Sequence, residues 1–359
     1  MNLIEQFPIL SECTYLNTAS SGILSKSLMD WRTAHELDYY KNGSAFRNHQ
    51  AEFLSDVKFT VAKFFDTKPE NTFLVPNFSF GFNTFLEGLS TSHRFLLIED
   101  DYPSINYAVK SRRFQYEYVQ ADQNLEDNII EIIDSFKPTI FACSVVQYIN
   151  GLRLNFEFLK ELKRLYPSLL IVADGTQFCG TESFSFEQSG FDVLISSGYK
   201  WMLAGYGNGF ILMKDDVKRY LYQEADKVEL PKEPFLANKS KLSLYFEPGH
   251  QDTLAFGSLK QSILFLEEVG IAKIERSIKV LSEKAKTAFA TRGLLNDVVS
   301  SRENYSPIFN LKISEQTFED LKTAKIIGMA RGNGIRIAFN FFNTEKDLFQ
   351  LLRVIDLNL

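Results

Sequence analysis

Two periods of hydrophobic and polar positions alternate along the middle of this chain. Short runs rich in Val, Ile, Leu and Phe, apolar on both sides, occupy residues 72–75, 94–98, 114–119, 139–146, 168–173, 192–196 and 208–213. Such runs predict strands buried on both faces of a largely parallel sheet. Between several of them apolar positions recur at helical spacing, over residues 79–89, 105–112, 125–136 and 156–165, the last stopped by Tyr166-Pro167. Strands alternating with helices predict an α/β architecture with helices on both faces of a sheet of seven strands. The flanks read differently. Residues 26–42 and 50–65 predict two helices separated by Asn42-Gly43-Ser44. The polar, proline-bearing stretch 231–241 reads as a boundary. Beyond it come long amphipathic helices at 253–268 and 271–291. Strands at 307–313, 325–329 and 334–339 follow, with helices at 315–323 and 344–355, a smaller α+β arrangement. No internal repeat is present.

Composition narrows the classes. A chain of 359 residues that is 45% hydrophobic can bury a sizeable core and is long enough for two domains. Its 33 phenylalanines are scattered, as core filler and as material for a subunit interface. The formal charge is −6 and no basic block is long enough to follow a phosphate backbone, which argues against nucleic acid. The start, Met1-Asn-Leu-Ile-Glu-Gln-Phe-Pro8, has no signal-like core, and no apolar stretch reaches spanning length. A cytoplasmic protein with no membrane partner is expected. Three cysteines and four histidines without metal-ligand spacing predict no metal.

The candidate chemistry sits at predicted strand ends, where a doubly wound sheet binds its ligands. Asp174-Gly-Thr-Gln177 follows one strand, Gln147 another, Ser197-Gly-Tyr-Lys200 a third, and Glu99-Asp-Asp-Tyr102 a fourth. A lysine and an aspartate at neighbouring strand ends suit one aldehyde cofactor, pyridoxal phosphate. The amine forms a Schiff base, and the carboxylate keeps the pyridine nitrogen protonated so that the ring accepts electrons. A solvated lysine after a strand is the plain alternative, which the pairing with Asp174 disfavours. Asn77-Phe-Ser79 opens a helix after the strand 72–75 and offers amides and a hydroxyl to a phosphate. Ser79 is equally a good helix N-cap. Ser197 and Tyr199 flank Lys200 and complete the cradle. Neither a dinucleotide fingerprint nor a P-loop is present, and Gly205-Tyr-Gly-Asn-Gly209 reads as a tight turn before a strand. Arg336 interrupts an apolar strand. It is either a rim residue paired with a nearby acid or the bidentate holder of a substrate carboxylate. Two rival classes lose ground: a nucleotide-binding protein lacks its phosphate fingerprint, and a catalytically silent scaffold would not need both Lys200 and Asp174.

These motifs resemble the class V aminotransferases of PLP fold type I, a family that includes cysteine desulfurases, selenocysteine lyases, kynureninases and isopenicillin-N-epimerase-like enzymes. The resemblance runs from Tyr15-Leu-Asn-Thr-Ala-Ser-Ser-Gly22 to Phe342-Asn-Thr-Glu-Lys-Asp347. It is most specific at Ala173-Asp-Gly-Thr-Gln177 and Ser197-Gly-Tyr-Lys-Trp201. It implies an aspartate-aminotransferase-like fold with a mostly parallel seven-stranded sheet in a large domain, residues 21–235. A small α+β domain, 236–359, and an N-terminal segment, 1–20, serving the small domain and the site complete it. Lys200 matches the Schiff-base lysine, Asp174 the partner of the ring nitrogen and Gln177 the neighbour of the ring hydroxyl. Phe78 and Ser79 match a Gly-Thr-Thr-like phosphate turn, in which Phe78 can offer only its amide. Ser197 and Tyr199 match further phosphate ligands, the tyrosine as in the kynureninase-like branch. Tyr102 matches the ring-stacking residue and Arg336 the carboxylate-binding arginine. Asn17 resembles an asparagine near the substrate, and a turn asparagine equally well. Glu247-Pro-Gly-His250 resembles a Glu-Ala-Gly-Thr segment that reaches the neighbouring subunit's phosphate, with His250 in place of threonine. A homodimer with shared active sites follows.

The expected reaction is transamination at the α-amino group of an amino acid. Elimination at a C–S or C–Se bond and epimerisation use the same residues. One departure from the family bears on this choice. Desulfurases carry a nucleophilic cysteine shortly before the carboxylate arginine, whereas Gly328-Met-Ala-Arg-Gly-Asn-Gly-Ile-Arg336 has none. Cys179 lies on the wrong segment, and Cys143, inside an apolar strand, reads as inert.

Overall fold

The computed structural model describes residues 2–233, 236 and 239–358. The expected division at residues 235/236 falls on Phe235, outside the described residues. Seven strands form the main sheet: β1 (Thr72–Val75), β2 (Arg94–Ile98), β3 (Gln115–Val119), β4 (Ile140–Ser144), β5 (Leu170–Asp174), β6 (Val193–Ser197) and β7 (Gly209–Met213), in the order β1-β7-β6-β5-β4-β2-β3. Pairing is parallel from β3 through β6, while β7 runs antiparallel to both its neighbours. Parallel strands need a crossover of about a dozen residues or more, usually with a helix. The connection 198–208 between β6 and β7 has no helix, so the chain turns straight back, and that turn carries Lys200.

The doubly apolar strands divide their side chains between two cores. Leu74, Leu96, Phe141, Ile171 and Leu194 pack on one face with residues of α2 (Gln50–Phe64), α6 (Phe156–Leu165) and α7 (Thr253–Val269), helices that follow α1 (Lys26–Asn42) in the chain. Phe73, Phe95, Ala142, Val172 and Ile195 pack on the other with α3 (Phe78–Glu87) and α4 (Pro103–Lys110). Helix α5 (Leu125–Phe136) joins the first face through Leu125, Ile129 and Ile133. Each fully buried large apolar side chain contributes roughly 1.5–3 kcal/mol, so burial on both faces holds the strand ends in register. Only β3, at the edge, alternates exposed and half-buried positions.

A second sheet gathers the end of the chain: β8 (Ile308–Leu311), β9 (Met329–Arg331) and β10 (Gly334–Ala338), antiparallel in the order β9-β10-β8. Its core includes Phe309, Ile337 and Phe339 with Phe289 of α8 (Ile271–Ala290), Leu321 of α9 (Glu315–Thr323) and Leu351 of α10 (Glu345–Asp356). The single strand expected at 325–329 is two. Ile326–Ile327 pairs in parallel with Thr14–Tyr15, and at Gly328 the chain changes partner to β10. A Cβ on Gly328 would lie 3.3 Å from Arg336 O, Ile335 and Ile337, so the crossing point is packed tightly. Among the described residues no helix is long and apolar enough to cross a membrane.

Candidate active site

Asp174 is the last residue of β5 and is 7% exposed. Its Oδ1 accepts the Thr176 N–H at 2.8 Å, and Thr176 Oγ1 accepts the Ser197 N–H at 3.1 Å, tying the end of β5 to that of β6. Burial pushes its carboxyl up to about 6, opposed by hydrogen bonding from Thr176 and by the charge of Lys200. Thr176 is its only donor among the described residues. A carboxylate has about four acceptor sites, so Asp174 retains capacity for another N–H.

Lys200 lies in the turn after β6, 7% exposed. Its Nζ is 5.5 Å from the Tyr199 ring centre and 5.8 Å from that of Tyr102. No ion pair engages it among the described residues. Burial pulls its amine down to about 8 against the attraction of Asp174. The turn is held by unusual backbone. Gly22 donates its N–H to Tyr199 O at 2.8 Å, and a Cβ there would come within 2.1 Å of Lys200 O. Leu203, fully buried, has φ 56, a left-handed conformation that costs a branched side chain energy and persists only where packing enforces it.

The N-terminus of helix α3 lines the same cavity. Its N-cap is Asn77, whose Oδ1 accepts the Phe80 N–H at 2.9 Å; Ser79 is not the cap but lies one residue inside the helix. Asn77 alone has the extended backbone an N-cap requires. Ser79 Oγ is thereby released and donates to Ser104 Oγ at 2.9 Å. The Phe78 N–H goes to Ser197 Oγ at 2.8 Å. The donors left at this positive helix end are the amide of Ser79 and the hydroxyl hydrogen of Ser197.

Tyr102 is set by Asp101, a buried acid to which the sequence reading gave no role. Asp101 Oδ1 accepts the Tyr102 N–H and the Ser144 hydroxyl, both at 2.6 Å, and Oδ2 accepts the Ser144 N–H at 2.7 Å. Burial raises its carboxyl, and these three bonds oppose the rise. They lock the ends of β2 and β4 together and hold the Tyr102 ring 5.3 Å from that of Tyr148. Gln177 accepts from Trp201 Nε1 at 2.8 Å and donates to Ala19 O at 2.9 Å, which leaves one amide hydrogen. Gln147 accepts from the amides of Ile149 and Asn150 in its own loop and donates to Asp100 O at 3.1 Å. It builds the turn that presents Tyr148.

Arg336 stands on β10, 3% exposed. Nη1 donates to Tyr148 O at 2.5 Å and Nη2 to Ser20 Oγ at 2.6 Å, while the buried Nε–H has no partner among the described residues. Both acceptors are neutral, and no acid pairs with this guanidinium among the described residues. Burial, then the charge of Arg331, draws it down to about 10, so it stays cationic at neutral pH. Asn17 is a turn residue by its backbone, its carbonyl accepting from Ser20 and Ser21, yet its buried Oδ1 is unpaired. His250 is exposed and lies outside the cavity, with Nε2 3.1 Å from Arg47 Nη2. Its loop is pinned to β1 by Glu247, which accepts the Leu74 N–H at 2.9 Å and pairs with Lys58 at 3.1 Å.

Eight expected residues, Phe78, Ser79, Tyr102, Asp174, Gln177, Ser197, Tyr199 and Lys200, thus line one cavity of about 300 Å³. Arg336 borders it through Tyr148; Asn17 and His250 do not line it. Sequence reading missed Ser144, Tyr148, Thr176 and Tyr206, which also line it. Thr176 sat inside a motif already singled out. Tyr206 was absorbed into a glycine turn, but its ring stacks on Tyr199 at 4.8 Å. No cysteine lines the cavity. Burial pushes the Cys179 thiol up to about 12 and that of Cys143 well above its ordinary value, so neither is a ready nucleophile. An acid with spare acceptors, an amine without a counter-ion and a helix N-terminus with free donors, arranged around one cavity, fit the ring nitrogen, aldehyde and phosphate of pyridoxal phosphate.

The family model described as aminotransferase class-V matches residues 14–325. A relative from Bacillus subtilis (strain 168), named uncharacterized aminotransferase YcbU, is 21% identical over 362 aligned positions, covering 95% of this chain and 93% of its own. Among solved structures, a lysine-to-alanine mutant of C-DES with glycine covalently linked to its PLP cofactor superposes with a TM-score of 0.86 at 17% identity, over 98% of this chain and 99% of that one. The apo cysteine desulfurase from Thermococcus onnurineus NA1 gives 0.84 at 15% identity, over 99% and 97%. The seven-stranded, mostly parallel sheet with a separate small sheet is the fold these chains share, PLP fold type I.

Proposed function

The chain belongs to the class V aminotransferases, enzymes that use pyridoxal phosphate, and we propose that its reaction is transfer of the α-amino group of an amino acid. The observation that carries this reading is one cavity holding Lys200 and Asp174 with no cysteine in its wall, so no thiol is available to accept sulfur. When bound, the cofactor supplies a carbonyl for the amino group and a ring that takes up the electron pair released at the α-carbon. The protein residues do the rest. Asp174 holds the proton on the ring nitrogen. Lys200, its amine lowered towards neutrality by burial, takes the α-proton and returns it as general acid. Arg336 binds the substrate carboxylate, its plane fixed by Tyr148 O and Ser20 Oγ, and so sets which α-carbon bond faces Lys200. Tyr102 would pack against the cofactor ring, and Ser79 and Ser197 would donate to its phosphate.

Carbon–sulfur or carbon–selenium elimination is the second reading. It needs no enzyme cysteine, and a solved chain of similar fold is a cystine C-S lyase. Product analysis separates the two. Holoprotein incubated with single amino acids and a keto-acid acceptor is expected to yield a new keto acid and a new amino acid in equal amounts. Sulfide or selenide release would replace transamination by the lyase reading, and an inverted amino acid by epimerisation. No product from any amino acid would end the enzymatic reading.

The active unit in this reading is a homodimer in which His250 serves the partner's phosphate. Its support is the His250 loop, turned away from its own cavity, and the exposed Met29, Leu37, Tyr39 and Tyr40 on α1. Gly249 has φ 64, so Gly249→Val strains that loop without filling any contact. Lys200→Ala and Gly249→Val subunits, each inactive alone, are expected to regain about a quarter of native activity when mixed, because half the random dimers carry one complete site. Exchange of subunits without recovery would show each site to be built by one chain.

A further inference from the structure

The hairpin β9–β10 carries a second guanidinium that the reaction above leaves unused. Met329 pairs with Arg336 and Arg331 with Gly334, so these four residues share one face of the ribbon. Arg331 is therefore the diagonal neighbour of Arg336, a relation that spans about 7–8 Å. That face is the active-site face, since Arg336 reaches Tyr148 O and Ser20 Oγ from it. Gly334, opposite Arg331, puts no side chain between the two arginines. The hairpin tip is seated against the Tyr148 loop, where a Cβ on Gly332 would meet Ile149 Cγ2 at 2.9 Å, and Asn310 Nδ2 holds Arg331 O at 2.8 Å.

The backbone of Arg331 is thus fixed while its side chain is exposed and has no ion-pair partner among the described residues. Its charge is felt inside the site. After burial it is the main influence lowering Arg336, it outweighs every other charge acting on the Tyr148 phenol, and it reaches Lys200. Two uncompensated guanidiniums repel each other. Of the nearby acids, Asp101 is spent on Ser144 and Tyr102, and Asp174 accepts from Thr176 and pairs with neither arginine. A polar cleft of about 600 Å³ shares Tyr148 with the cavity and is lined by Asn310, Lys312 and Asn333 together with Asp100 and Asp101.

We propose that Arg331 binds an anionic oxygen group on the side chain of the substrate, which is an amino acid ending in a carboxylate or sulfinate. Arg336 takes the α-carboxylate and Arg331 the second anion. This rests on the reading of the cavity as an amino-acid site. The competing arrangement is that both arginines clamp one carboxylate, in which case the side-chain charge is immaterial.

Succinate and butyrate, unreactive and equal in carbon number, separate the cases by titration calorimetry of the holoenzyme at low salt. Succinate is expected to bind roughly tenfold or more tightly than butyrate, the yield of one charge-assisted contact. Arg331→Gln should erase that preference and leave butyrate unchanged, whereas Arg336→Gln should weaken both. In turnover, Arg331→Gln should raise KM for aspartate, glutamate and cysteine sulfinate by a similar factor, with kcat nearly constant and asparagine and glutamine unaffected. Equal weakening of both ligands by Arg331→Gln, or no preference in the native enzyme, would overturn the assignment while the amino-acid site stands. If Arg336→Gln also leaves butyrate binding intact, the amino-acid site itself falls, and this assignment with it.

Discussion

Borohydride reduction of the holoprotein is expected to fix the mass of one pyridoxal phosphate on the peptide containing Lys200, and Lys200→Ala is expected to carry none. The same variant should lose roughly 10³-fold or more in turnover, because it removes both the attachment point and the group that moves the α-proton. The amine suits the task because it is buried, lacks a counter-ion and titrates near 8 instead of in the range of an exposed lysine. Only the neutral amine attacks a carbonyl. Capture of cofactor by the cofactor-free protein should therefore quicken about tenfold per pH unit up to about 8 and level off above it. Absorbance stopped-flow measures this directly. A flat profile between pH 6 and 9, or reduction that labels another lysine, contradicts the assignment.

Asp174→Ala is expected to keep much of its cofactor and lose most of its rate. Neither Ser79 nor Ser197 bonds Asp174 directly, Ser197 being linked to it only through Thr176, so both phosphate donors remain after the change. What disappears is the acid that holds a proton on the ring nitrogen, and without it the ring accepts electrons poorly. A deficit of a few kcal/mol in transition-state stabilisation corresponds to roughly 10²-fold or more in kcat. Its carboxyl, raised to about 6 by burial, is still ionised at neutral pH, and a cationic N–H beside it would favour that form further. The absorbance maximum of bound cofactor should also shift in this variant, a change that simple loosening of the β5 turn would not cause. Near-native kcat with full occupancy would remove Asp174 from the mechanism.

Much of the fold and part of the site were legible because they are local. Doubly apolar runs gave the seven strands, and the short 198–208 connection already carried Lys200 at the end of one of them. Asp174 and Gln177 lie in one contiguous motif and Ser197 and Lys200 in another, and their places at neighbouring predicted strand ends, with the family resemblance, brought the two together. The features that escaped arise between distant segments. Asp101 looked like one of several acids after a strand, and only its bonds to Ser144 single it out. Tyr148 enters the cavity because Gln147, itself a candidate, folds back on its own loop. Ser79 and Asn77 are both good caps by composition, and backbone geometry decided for Asn77. Residues 325–329 read as one strand because partner exchange at Gly328 leaves no mark on the apolar pattern.

The segment 16–22 links β10, Gln177 and the turn that carries Lys200. Leu16 O accepts the Ala338 N–H, Ala19 O accepts from Gln177, Ser20 Oγ accepts from Arg336, and Gly22 donates to Tyr199 O. Two of these links, Leu16–Ala338 and Ser20–Arg336, join residues made early in synthesis to residues made more than three hundred positions later. Loop closure over such a span is slow and comes after local elements have formed. A nascent chain can therefore shape the Asp174–Lys200 end of the cavity while β10 is still unmade. The holder proposed for the substrate carboxylate, Arg336, thus takes its place only when the two ends of the chain meet.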